Sequence, residues 1–328
     1  MRVLFIGGTG VISSACAQRA VEQGIDLVFL NRGQSERPVP EAATILHADA
    51  RDSAAVEAAL SDRTFDAVVN WIAFQPEHVE ADIERFRGRT RQYVFISSAS
   101  AYQTPPVRLP VTESTPLANP FWAYSRAKIA CEERLVRAYR ETGFPVTIVR
   151  PSHTYDRTLL PMRGGYTVVD RMRRGAPVVV HGDGTSLWVL THHRDFAHGF
   201  VGLMGNGRAL GEAVHITSDE VLSWNQIVDL LAHAAGARAE KVHLPSTVIA
   251  RYDAEWGASL LGDKAHSMIF DNTKIKRLVP DYAAPTPFSH GAQEMLAWFD
   301  ADPARRTVDE AADHLMDEMI AAWRDAFP

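Results

Sequence analysis

The sequence predicts an α/β protein: a doubly wound parallel sheet with a smaller C-terminal lobe interleaved with it. Three observations carry this expectation. Short, nearly continuous apolar runs alternate with helical patterns through the first 150 residues. Strands covered on both faces and joined by helical crossovers read this way. A glycine-bearing segment, Gly7-Gly8-Thr9-Gly10, follows the first apolar run directly and opens the first helical pattern. Past residue 150 the rhythm breaks into a stretch richer in Pro, Gly and Arg.

The first strand is 2–6 (RVLFI), and the helix at 13–23 stops at Gly24, a residue suited to helix ends. Strands at 26–30 (DLVFL), 44–47 (TILH), 67–71 (AVVNW), 92–97 (QYVFIS) and 145–150 (PVTIVR) follow, with helices near 53–60, 76–86 and 121–142 between them. Right-handed crossovers make one parallel sheet of these, with ligands at the carboxyl ends of its strands. Helices at 195–205, 223–236 and 307–326 lie outside this rhythm, but the first of them can return to the sheet. The expected division is therefore 1–150 plus about 187–210 for the sheet domain, with about 151–186 and 211–328 for the smaller lobe.

At 328 residues, 46% of them hydrophobic and 23% charged, the chain is long for one core and suits two lobes. A net charge of −6 opposes nonspecific nucleic-acid binding. The basic run Arg85-Phe86-Arg87-Gly88-Arg89-Thr90-Arg91 reads as a solvated face at a helix end, with a phosphate patch as its alternative. Cys16 and Cys131 lack CxxC spacing and read as buried thiols in a reducing compartment. There is neither a leader pattern nor an apolar run near the ~20 residues of a membrane helix. A cytoplasmic chain without a membrane partner is expected.

Gly7-x-x-Gly10 between a strand and a helix is the context a pyrophosphate needs. Glycine lets the backbone turn tightly and approach phosphate oxygens. The helix N-terminus adds N–H donors and the positive dipole end. Ser13 stands at the third glycine position, whose task is close helix–strand packing, and its small side chain suits that task. The second strand ends at Asn31-Arg32, where an acidic residue would bind the ribose 2′-hydroxyl of NAD. Arg32 offers a guanidinium suited to a 2′-phosphate instead, which favours NADP with NAD as the alternative. Asp49, after the third strand, is positioned to accept from the adenine amino group, with Ala50 beside it.

Tyr124 and Lys128 are four residues apart in a helical stretch and so share one face. An ammonium near a phenol favours phenolate, which suits a tyrosine for acid–base work. Serines in "FISSASAY" lie just past the fifth strand, where a hydroxyl can reach a substrate oxygen.

With these motifs the chain resembles the extended short-chain dehydrogenases/reductases, the NAD-dependent epimerase/dehydratase family with its Rossmann sheet. The resemblance runs nearly end to end through Gly7–Ser13, Asp49, Tyr124/Lys128, "IVRPSHTY", "VVVHGDGTS" and "FDNTKIKRL". It implies hydride transfer at a secondary alcohol, with Tyr124 as acid/base, Lys128 also holding the nicotinamide ribose, and Ser98 preferred over Ser97 and Ser100. The implied cofactor contacts are Gly7, Gly10, Val11, Ile12, Asn31, Arg32, Asp49, Ala50, Ala73 and Lys128. The implied substrate contacts are Ser98, Ser100, Tyr124, His153 and Trp188. A homodimer is also implied, paired through the helix that holds Tyr124.

Departures narrow the chemistry. Ala99-Ser100 stand where dehydratases of the family carry an Asp-Glu pair, so elimination is disfavoured and epimerisation or net redox survives. Trp188 stands where nucleotide-sugar members carry a diphosphate-binding Arg, so a sugar, nucleoside or glycoside without the diphosphate rises in rank. Arg163, Arg171, Arg173 and Arg174 are alternative sources of that charge. Trp188 itself either stacks on the substrate or packs the lobe interface, and Trp71 and Phe74 either narrow the pocket or fill core. His192-His193 lack a third ligand at metal spacing, so no metal is expected.

The leading expectation is an NAD(P)-dependent epimerase or oxidoreductase acting on a sugar-like small molecule. A net NADPH-dependent ketoreductase is the alternative. An RNA-binding or redox-sensing protein is a third reading, prompted by the Asn31-Arg32-Gly33 turn and opposed by the acidic charge and the retained Ser98/Tyr124/Lys128 set.

Overall fold

A computed structural model describes residues 1–327 of the chain. The first half runs β1 (Arg2–Ile6), α1 (Val11–Glu22), β2 (Asp26–Asn31), β3 (Thr44–His47), α2 (Ser53–Leu60), β4 (Ala67–Asn70), α3 (Pro76–Phe86), β5 (Tyr93–Ile96), α4 (Ala123–Thr142) and β6 (Val146–Pro151). Next come β7 (His153–Tyr155), α5 (Tyr166–Arg173), β8 (Val178–His181), β9 (Leu187–Trp188), β10 (Leu190–His192), α6 (His193–Leu203) and β11 (Ala213–Ile216). The chain ends with β12 (Leu222–Ser223), α7 (Trp224–Ala234), β13 (Lys241–Leu244), α8 (Ser246–Tyr252), α9 (Ala254–Ser259), α10 (Thr273–Leu278), α11 (Phe288–Asp300) and α12 (Glu310–Ala326).

Seven strands form one parallel sheet in the order β11-β6-β5-β4-β1-β2-β3. The inner strands split their side chains between two cores, as the two-residue period of a strand requires. Val3 and Phe5 join a core with Cys16 and Ala17 of α1 and Phe196 and Phe200 of α6. Leu4 and Ile6 join the other, with Val56 of α2, Ile83 of α3 and Leu135 of α4. This two-sided cover is why the strands read as continuous apolar runs. The strand order reverses between β1 and β4, which opens a crevice at their carboxyl ends.

A third core joins α5, α7, α11 and α12 around Trp188, Trp224 and Phe288. The β8/β13 pair is parallel and β9/β12 antiparallel. The stretch 211–328 is expected from sequence in the smaller lobe, but β11 pairs with β6 as an edge strand of the large sheet. Ala213-Val214-His215-Ile216 is a four-residue strand with no helix pattern of its own beside it, so local periodicity carries no sign of which sheet it joins.

In the basic run at the end of α3, Arg85 pairs with Asp82 and Glu57, Arg89 with Glu57, and Arg91 with Asp66. Among the described residues no helix is long and apolar enough to cross a membrane.

Candidate active site

A cleft of about 910 Å³ opens at the carboxyl ends of β1–β3, lined by Gly7, Asn31, Arg32, Asp49 and Ala50 among others. Gly7 (φ +84°) and Gly8 (φ +97°) adopt backbone conformations that only glycine takes readily. A Cβ on Gly8 would lie 2.6 Å from the Phe29 ring, and one on Gly7 2.9 Å from Ile72 Cγ2. The turn therefore hugs the strand ends and leaves the cleft open. Gly8 is a requirement the Gly7-x-x-Gly10 pattern does not express. Gly8→Ala is expected to lower stability by about 1–3 kcal/mol, read by urea unfolding, and to weaken NADPH binding in a fluorescence titration.

Gly10 caps α1, and its N–H donates to the buried Ser13 Oγ at 2.7 Å. Ser13 at the third glycine position thus fits the packing and also satisfies the cap, which starts α1 at Val11 rather than at 13. Other N–H groups of the first turn have no partner within the helix and, with the dipole, suit a pyrophosphate. Asn31 Oδ1 accepts the Gly33 N–H at 2.8 Å, so Asn31 shapes the turn. Arg32 is largely exposed, with Nη1 4.0 Å from Asp49 Oδ2. Arg37, which sequence reading passed over, reaches Asp156 and Thr158 at 2.5 Å each and ties the loop after β2 to the segment after β7. The glycine turn, the exposed Arg32 guanidinium and the Asp49 carboxylate line one cleft, a set of groups that fits a dinucleotide.

Beside this cleft lies a pocket of about 270 Å³ that gathers Ser98, Ser100, Tyr124, His153, Trp188, Asp263 and Lys264. Helix α4 buries a stripe of Ser125, Lys128, Cys131, Glu132, Leu135 and Ala138, the spacing of one helix face. Lys128 enters the protein on that stripe. Its Nζ donates to the carbonyls of Ala73 (2.7 Å) and Ile96 (2.8 Å) and stands 4.5 Å from the Phe74 ring centroid. Burial lowers its pKa to about 8. Ala73 thus meets Lys128 through its backbone, while Phe74 flanks the cleft and Trp71 packs in the core against Phe5 and Phe200.

The three serines divide. Ser97 Oγ turns away and donates to Glu132 at 2.5 Å. Ser98 and Ser100 hydroxyls are 2.9 Å apart, and Ser125 donates to Ser100 at 2.7 Å. Burial raises the Tyr124 phenol above its ordinary value, while the neighbouring Ser98 hydroxyl pulls it down. The lowering by Lys128 expected from sequence is not what the geometry gives. Lys128 Nζ is committed to two carbonyls, 5.8 Å from the Tyr124 ring centroid, and desolvation dominates.

Trp188 is buried at the pocket wall, and its indole N–H donates to His153 Nδ1 at 3.1 Å. Burial holds the His153 pKa down to about 3, so the ring is neutral with its proton on Nε2. Each arginine offered from sequence as a diphosphate charge is held in an ion pair. Arg163 pairs with Asp253 at 2.7 Å, Arg171 with Asp313 and Asp317 at 2.5 Å each, Arg173 with Asp300 at 2.7 Å, and Arg174 with Asp313 at 2.5 Å. His192 contacts Glu294 at 3.0 Å, and no group of three metal-ligating side chains is close enough to hold an ion among the described residues. Asp263 and Lys264 escape sequence reading because they are far from Tyr124 in the chain and belong to no motif.

The profile of the NAD dependent epimerase/dehydratase family matches residues 3–216. The chain is 27% identical over 294 residues to the 2'-dehydrokanamycin reductase of Streptomyces kanamyceticus, covering 86% of this chain and 80% of that one. It is 30% identical over 169 residues to a UDP-glucose 4-epimerase of Lactobacillus helveticus, covering 46% of this chain and 51% of that one. The solved structure of epimerase Mth375 from Methanothermobacter thermautotrophicus shares its fold at a TM-score of 0.75 and 17% identity, covering 93% of this chain and 94% of that one. The chain belongs to the NAD dependent epimerase/dehydratase family, NAD(P)-binding enzymes of the extended short-chain dehydrogenase/reductase type.

Proposed function

We propose that this enzyme transfers hydride between NADP(H) and a secondary alcohol or ketone on a sugar-type ring that bears no nucleotide diphosphate. The observation that carries the reading is the meeting of Ser98 and Tyr124 in a small pocket beside the dinucleotide cleft, with Lys128 anchored behind it. Bound nicotinamide supplies or accepts the hydride. In the direction of reduction, Tyr124 gives its phenolic proton to the carbonyl oxygen as that oxygen gains negative charge. Ser98 donates a hydrogen bond to the same oxygen, and the Ser100–Ser125 contacts fix the Ser98 rotamer. The Lys128 ammonium gives two of its three N–H groups to the Ala73 and Ile96 carbonyls, and the third would hold a ribose hydroxyl of the bound cofactor.

Trp188 in the diphosphate position, with Arg163, Arg171, Arg173 and Arg174 each in an ion pair, supports a ring without that group. Net reduction is favoured over epimerisation by Arg32 at the end of β2 and by the similarity to 2'-dehydrokanamycin reductase, which spans most of both chains. Denaturing the fresh protein and identifying released nucleotide by mass spectrometry tests this. Little bound nucleotide, with NADPH-dependent turnover of a keto sugar such as 2'-dehydrokanamycin, is the expected result. Stoichiometric NAD retained through purification, with interconversion of UDP-glucose and its epimer, favours the epimerase instead. Arg32→Ala is expected to weaken NADPH binding about tenfold. NADH binding should change little, and parallel titrations measure the split.

A further inference from the structure

Three segments that line the substrate pocket meet at one buried side chain that no sequence motif singles out, Asn119. Its amide nitrogen donates to the carbonyls of Ser100 (2.9 Å) and Gly262 (2.6 Å). Its Oδ1 accepts the backbone N–H groups of Phe121 (3.2 Å) and Trp122 (3.0 Å). The amide's two hydrogens are both spent, and the opposite flip would set its oxygen against two carbonyls, so the orientation is fixed. Ser100 belongs to the loop after β5, Trp122 stands just before α4 and its Tyr124, and Gly262 sits on the π-helical turn Leu260–Lys264. Gly262 admits the close approach: a Cβ there would lie 2.8 Å from Trp122 Cβ and 3.0 Å from Asn119 Oδ1.

Ser100 is held twice, its carbonyl by Asn119 and its hydroxyl by Ser125 of α4 at 2.7 Å. Its own hydroxyl and N–H then meet Ser98 Oγ at 2.9 and 3.2 Å. With the Ser125 proton spent on Ser100 and the Ser100 proton on Ser98, the one hydrogen of Ser98 is left for the pocket. Resting on the hydride-transfer reading above, we propose that Asn119 is a positioning residue that sets Ser98 and Tyr124 in register with the pocket wall at Leu260–Lys264. A ring held against that wall then meets both hydroxyls at once. Asn119 acts through Ser100 and the start of α4, not by touching the ring. A misplacement of about 1 Å at reacting groups can cost about 100-fold in rate, so a strut of this kind bears on turnover.

Asn119→Asp separates the strut from the helix cap. It keeps the acceptor for the Phe121 and Trp122 N–H groups and replaces both donors by an oxygen facing two carbonyls. In NADPH-dependent reduction of 2'-dehydrokanamycin, kcat is expected to fall about 10–100-fold with KM held within about threefold, the pattern of an interaction made only in the transition state. NADPH titration should give unchanged affinity and stoichiometry, whereas partial unfolding would lower stoichiometry and kcat in proportion. Hydrogen exchange read by mass spectrometry should be at least about fivefold faster in both 98–103 and 260–266, with 123–130 unchanged. Gly262→Ala forces the same segments apart from the other side. It should reproduce both results, and it decides the matter where Asn119→Asp does not fold. Wild-type kcat in folded Asn119→Asp, a rise in KM alone, or faster exchange in only one of the two segments overturns the proposal. A wild-type protein that reduces no keto sugar refutes the hydride-transfer reading alone, and the exchange result then decides the strut.

Discussion

Tyr124→Phe is expected to lower kcat by about 10²–10⁴-fold, the range for loss of a positioned proton donor. The change removes one oxygen from a ring already packed 5.0 Å from the Trp122 ring, so fold and pocket shape persist. The dinucleotide cleft is formed by the ends of β1–β3 and does not depend on the hydroxyl. NADPH titration should therefore match wild type while single-turnover reduction fails. Retained turnover would place the proton on another group, with the Ser98–Ser100–Ser125 hydroxyls next in line.

Glu132→Gln is expected to destabilise the protein by about 3–5 kcal/mol, the cost of stranding one member of a buried ion pair. Glu132 lies one turn beyond Lys128 on the buried stripe of α4. Its carboxylate accepts from Arg150 at 2.9 and 2.5 Å and from Ser97 at 2.5 Å, and all three residues are buried. Arg150 also stacks over the Tyr102 ring at 4.7 Å, and Tyr102 OH contacts His215 Nδ1 at 3.0 Å. The amide leaves Arg150 charged without a counter-charge. Urea unfolding measures the loss, and a Glu132→Met/Arg150→Met double replacement should recover much of it, because the pair's desolvation cost disappears with it. Ser97 adjoins Ser98, so kcat should fall in Glu132→Gln even at temperatures where the variant is folded.

Much of the site was legible in sequence because its parts are local. A strand, a tight glycine turn and a helix start are contiguous. Tyr124 and Lys128 share a helix face by arithmetic, and Ser98 follows a strand that reads as buried. Ser97 Oγ is turned to Glu132, and Ser98 lines the pocket. The electrostatics were not legible. Spacing alone suggests that Lys128 depresses the Tyr124 phenol. The actual partners of Lys128 are carbonyls of residues 73 and 96, supplied by the loop after β4 and the end of β5, and desolvation is a property of the whole packed site.

The same division holds for the molecule. Sequence by itself determined the parallel sheet, the succession of its first six strands along the chain with the helices between them, the glycine turn after β1 and the shared helix face of Tyr124 and Lys128, because periodicity and turn chemistry act within a few residues. Only tertiary structure decided that β11 closes the edge of the large sheet, that four arginines are absorbed in ion pairs, and that Asp263 lines one pocket with Tyr124. Each of these is a contact between segments distant in the chain, selected by packing and by charge neutralisation across the fold, and no local pattern encodes which partner a buried charge will meet.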